Sequence, residues 1–132
     1  MAVIDAKLIF MQDKATAAEV TSDVLDLGKN GANLNPLYID VKLTTGVTAG
    51  SVVSVKVQSS TDDKFTKPID EQTTTIHADA TAQKKPCQLV QTFCPITPGG
   101  RYVRLIVTGD STTAPVGGKL WAYISPDIQV PI

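Results

Sequence analysis

Leu37-Tyr38-Ile39-Asp40-Val41-Lys42-Leu43-Thr44 alternates apolar and polar residues without a break. In an extended chain successive side chains point to opposite faces. Leu37, Ile39, Val41 and Leu43 therefore share one face, and Tyr38, Asp40, Lys42 and Thr44 share the other. That pattern describes a strand with one dry side and one wet side. Val53, Val55 and Val57 repeat it, with Ser54, Lys56 and Gln58 opposite. Val103, Leu105 and Val107 repeat it again, opposite Tyr102, Arg104, Ile106 and Thr108. Ile106 interrupts the polar side, so that side is expected to be partly covered. A late strand sets Leu120, Ala122 and Ile124 against Trp121 and Tyr123.

Weaker strands are predicted near residues 4–11, 23–27, 72–78 and 87–93, for about eight short strands in all. Turn signals separate them: Lys29-Asn30-Gly31, Thr45-Gly46, Ala49-Gly50, Pro98-Gly99-Gly100, Gly109-Asp110 and Gly117-Gly118. This spacing predicts an all-β protein, an antiparallel sandwich or barrel. A parallel α/β fold would need amphipathic helices between strands, and the sequence offers none of useful length. Asp13 to Asp23, rich in Ala and Thr, reads equally as a helix, a loop or an edge strand. Residues 59–71 read as a long polar connection carrying an exposed Phe65, a candidate contact to a partner.

The 132 residues suit one domain spanning 1–132, large enough to bury a core without metal or disulfide support. The formal charge is -1, with 12 basic and 13 acidic residues, so the basic footprint of a nucleic-acid binder is missing. No polybasic run suits an anionic membrane, and no stretch approaches the ~20 apolar residues of a spanning helix. Asp5 and Lys7 interrupt any signal-peptide core, so the expectation is a soluble protein made in a cytoplasm.

Catalytic chemistry finds little to work with. Nucleophilic catalysis would have to use His77, the single histidine, which reads as an ordinary strand-end residue. No nucleophile-elbow, zincin or phosphate-loop motif occurs. Cys87 and Cys94 read as free, partly buried thiols, although a disulfide across a short hairpin is the alternative. Asp62-Asp63 lacks calcium-loop spacing and reads as a solvated turn, with Ser60 or Asp62 capping it. No enzyme activity, cofactor or metal is expected.

Surfaces remain as the carriers of function. Tyr102, Trp121 and Tyr123 fall opposite the presumed core faces, where they suit a protein interface, a sugar platform, or a side covered by the chain itself. The tail Ser125-Pro126-Asp127-Ile128-Gln129-Val130-Pro131-Ile132 contains two prolines that keep it out of a central strand. Residues 126–132 are therefore expected to form an extended arm. Val3 and Ile4 at one end, and Ile128, Val130 and Ile132 at the other, are candidate contacts to a neighbour, or else complete the sandwich edges.

An ordered series of segments carries a resemblance. Ala2-Val3-Ile4-Asp5-Ala6-Lys7-Leu8 is followed by Asp23-Val24-Leu25-Asp26-Leu27-Gly28 and Asn35-Pro36-Leu37-Tyr38-Ile39-Asp40-Val41. Next come Val55-Lys56-Val57-Gln58-Ser59-Ser60-Thr61-Asp62-Asp63-Lys64-Phe65 and Pro98-Gly99-Gly100-Arg101-Tyr102-Val103-Arg104-Leu105. Order and spacing resemble the capsid cement proteins of tailed bacteriophages, the Bordetella-phage cement protein family in particular. The resemblance runs to about residue 108 and weakens after it. It implies a jelly-roll-like sandwich that self-associates on the outside of a virion and clamps neighbouring major capsid subunits. It brings no catalytic residues. A carbohydrate-binding sandwich, with Trp121, Tyr123 and Tyr102 as its platform, is the rival reading. A tail or baseplate protein and a small hydrolase using His77 are two more.

Overall fold

The computed structural model describes residues 9–27, 37–76 and 79–125. Among them the chain forms nine strands: β1 (Ile9–Ala15), β2 (Glu19–Thr21), β3 (Leu25–Asp26), β4 (Leu37–Thr45), β5 (Val52–Ser60), β6 (Ile69–Thr75), β7 (Cys87–Cys94), β8 (Tyr102–Gly109) and β9 (Lys119–Ser125). The first sheet has the order β1-β9-β4-β7, and the second β2-β8-β5-β6, with β3 also on β8. Every pairing is antiparallel.

The pairing is nested. The first strand pairs the last, β2 and β3 pair β8, β4 pairs β7, and β5 pairs β6. Such a ribbon, wound so that β4 also meets β9 and β5 meets β8, is an eight-strand jelly roll in which β2 and β3 share one strand's place. The predicted antiparallel sandwich of about eight strands is the fold observed. Ser22 explains the split. Its backbone N–H donates to Leu105 O at 2.8 Å, while its hydroxyl accepts the Leu105 N–H at 2.7 Å, so a side chain replaces one rung of the ladder.

The alternation in the sequence decides what is buried. Leu37, Ile39, Val41 and Leu43 of β4 face Val55 and Val57 of β5 and Val103, Leu105 and Val107 of β8 across a dry interior. Phe10, Leu120, Ala122 and Ile124 complete it. Residues 13–23 resolve into the end of β1 and the edge strand β2, the third of the readings left open above.

A buried amide closes one end of the sandwich. A single 3-10 turn, Ala82–Lys84, points the fully buried Gln83 inward. Its Oε1 accepts the Val52 N–H at 2.7 Å, and its Nε2 donates to Val52 O at 2.9 Å. The side chain thus gives the start of β5 the partners a neighbouring strand would give, which leaves no buried backbone group unpaired there. The turn sits so close to Gly46 that a Cβ there would lie 2.2 Å from Lys84 O, so only glycine fits.

Candidate functional site

The wet side of β4 lies in the middle of the first sheet, and its partners bring it aromatic company. Register sets Tyr38 opposite Phe93 of β7, Asp40 opposite Tyr123 of β9, and Lys42 opposite Trp121. Cross-strand neighbours on one face approach closely enough for side chains to pack. The Tyr38 and Phe93 rings are 6.2 Å apart and tilted by 48°. Trp121 and Tyr123, two residues apart on β9, stack edge to face at 5.9 Å and 78°. Phe93 is 59% exposed, the most exposed large apolar side chain among the described residues.

Asp40 sits among these rings and is itself only 8% exposed. The Tyr123 hydroxyl donates to its Oδ2 at 2.9 Å, and Gln88 Nε2 donates to its Oδ1 at 2.8 Å. Lys42 Nζ stands 3.9 Å from Oδ2 and 5.4 Å from the Tyr123 ring centre. The Tyr123 hydroxyl raises the Lys42 ammonium above its ordinary pKa; partial burial opposes this, and the Asp40 charge adds to it. Burial raises the Tyr123 phenol in turn, with Lys42 pulling it down and Asp40 pushing it up. The face therefore combines apolar rings with a carboxylate whose hydrogen bonds are already made.

The other predicted aromatics separate. Tyr102 lies on β8, on the outer side of the second sheet, so it cannot join Trp121 and Tyr123 in one platform. Arg101 covers its ring at 5.1 Å, and that guanidinium also holds Asp26 through Nε at 2.7 Å and a second nitrogen at 2.8 Å. Phe65 is not exposed, contrary to the expectation from its polar loop; it is 6% exposed. Asp62 organises the turn, accepting from Ser60 Oγ at 2.7 Å, Thr66 N at 3.1 Å and Thr66 Oγ1 at 2.6 Å. These donors, Thr66 first, lower the Asp62 pKa. The turn leaves Phe65 at φ 53°, in the left-handed region, and its ring under Arg104 at 4.2 Å.

Cys87 and Cys94 are free thiols, as expected. The hairpin alternative fails because both lie on the one strand β7. Seven residues of extended chain separate their Cα atoms by roughly 23 Å, far beyond disulfide reach. Burial, with the Glu71 charge behind it, pushes the Cys94 thiol to about 11. Among the described residues no cluster of His, Cys, Asp or Glu could hold a metal ion, and no helix is long and apolar enough to cross a membrane. Val3, Ile4, His77, Ile128, Val130, Ile132 and the arm 126–132 lie outside the described residues.

Sequence reasoning missed Phe93 as a candidate. Strict alternation along 87–94 cannot place both Leu89 and Phe93, because a bulge between Gln88 and Val90 shifts the register and buries Leu89. Tyr38 was readable on the wet face of β4, but its ring partner was not.

No protein-family model matches the chain, and no curated protein matches it.

Proposed function

We propose that the chain is a structural virion protein. It decorates the outside of a phage head, self-associates, and stabilises contacts between major capsid subunits. The observation that carries this reading is the first sheet's outer face, where Tyr38, Phe93, Trp121 and Tyr123 surround Asp40. Covering a face costs most where a charge is left unpaired. Asp40 already has its donors within the chain, so a partner gains aromatic burial at little polar cost. Stable interfaces remove roughly 1,200–2,000 Å2 from water, and many copies on one shell reinforce one another. The resemblance to phage cement proteins supplies the identity of that partner, and the jelly-roll order accords with it.

The test is co-sedimentation with expanded, DNA-free shells. Stoichiometric binding, with shells that then survive heating better, is expected. A folded protein that binds no shell form would remove the reading. A carbohydrate-binding module is the second reading, favoured by the Trp121–Tyr123 pair beside Gln88 and Asp40 and weakened by the removal of Tyr102. Glycan binding abolished by Trp121→Ala would establish it. A tail or baseplate location is separated from a head location by which purified virion part the protein sediments with.

A further inference from the structure

The aromatic face of the first sheet changes character along its length. At one end Tyr38 lies between Phe93 and Ser125, a row without charge. Toward the other end Lys42 lies between Gln88 and Trp121. Lys119 stands opposite Thr45, two residues before Trp121 and so on the same side of β9. The cations continue past the end of the sheet. The 3-10 turn that carries Lys84, followed by Lys85, packs on Gly46, the residue after Thr45. Lys84, Lys85 and Lys119 are exposed. Asp40, between the two ends, has its donors within the chain, and its side chain is 11% exposed where that of Lys42 is 42%.

The second sheet meets its cations with its own groups. Arg101 holds Asp26 through two nitrogens, Arg104 donates to Gln58, and Lys56 stands 3.6 Å from Asp70. Lys64 and Lys67 share the β5–β6 turn with Asp62 and Asp63. Among the described residues no ion pair engages Lys84, Lys85 or Lys119. Asp13, in a bulge of β1, and Asp79, whose Oδ1 accepts the Ala82 N–H at 2.8 Å, offset these lysines only in part.

We infer that the partner covering this face is an acidic protein surface, with its apolar part over Tyr38 and Phe93 and its carboxylates over Lys42, Lys119 and the Lys84 turn. The inference rests on the proposed function for the face that meets the capsid subunit, and it adds the chemistry and the direction of what lies there. An ammonium taken out of water without an opposite charge is costly. A wholly apolar partner over Trp121 would bury Lys42 beside it at a loss, and an acidic one recovers that loss. Nucleic acid is the competing occupant. It would carry phosphates along the whole face, whereas the Tyr38 end offers them no cation, and nucleic-acid binders neutralise many phosphates.

Co-sedimentation of the full chain with expanded, DNA-free shells, at about 50 mM and about 500 mM salt, tests the inference. Affinity should fall about tenfold across that range as the charges are screened. The double variant Lys84→Glu and Lys119→Glu should bind about tenfold more weakly at low salt and keep little salt dependence. Lys64→Glu with Lys67→Glu changes the net charge equally, in the β5–β6 turn, and should bind as the parent does. Circular dichroism checks that both pairs fold. Should the first not fold, Lys84→Gln with Lys119→Gln removes the charges alone and should show a smaller loss in the same direction. Three results overturn the inference and leave the proposed function standing: equal binding by the parent and the first pair, equal losses in both pairs, or binding of a single-stranded oligonucleotide that the first pair abolishes. A parent chain that binds no shell at either salt overturns both.

Discussion

The outer sides of the two sheets come from the same alternation in the sequence yet carry opposite chemistry. On the first sheet four rings are left half-covered or exposed around a satisfied carboxylate. On the second, Arg104 Nε donates to Gln58 at 2.9 Å, Gln58 passes a donor to Asp70, and Lys56 stands 3.6 Å from that same carboxylate. Of the large apolar side chains near this second face, Phe65 is folded in by its own loop beneath Arg104, Tyr102 lies under Arg101, and Ile106 is half-buried. Among the described residues the first face is left with Phe93 exposed and Tyr38, Trp121 and Tyr123 half-buried, an aromatic patch of the kind that interaction surfaces carry.

Variants on the two faces should therefore separate binding from folding. Trp121→Ala combined with Phe93→Ala removes two aromatic anchors, a loss of about 3 kcal/mol in shell binding, or roughly a hundredfold in affinity. Pull-down titration reads it, and an unchanged affinity would move the contact face elsewhere. Phe65→Ala should do the reverse, costing roughly 2 kcal/mol of folding stability with shell binding intact. A chemical denaturation curve beside the same titration checks both halves. Asp40→Ala leaves the Tyr123 hydroxyl and Gln88 amide without their acceptor and should cost about 1–2 kcal/mol of stability. Lys56→Ala breaks a pair whose side chains are 36% and 56% exposed, and should change stability by less than about 0.5 kcal/mol.

β4, β8 and β9 were legible because each buries one side and wets the other, so period two survives into the fold; in β5 it does not, because a register shift beside Val53 buries Val52 in place of the expected Val53, and Gln58, Ser59 and Ser60 are all buried. Legibility stopped where one residue broke the period or a side chain replaced backbone. The Leu89 bulge hid Phe93, and the Ser22 hydroxyl in the β8 ladder hid the continuity of β2 and β3. Asp62 was readable as a turn former, but the place where Phe65 packs, under Arg104, lies far away in sequence. Gln83 reads as one more polar loop residue, and only the unpaired start of β5 explains its burial.

Trp121 is the single tryptophan of the chain and stands on the aromatic face. Replacing it biosynthetically with azatryptophan gives an emission separable from that of shell proteins. On mixing with DNA-free shells, its emission should shift to the blue and become protected from acrylamide. Co-sedimentation with emission and quenching unchanged would contradict the claim that this face meets the partner.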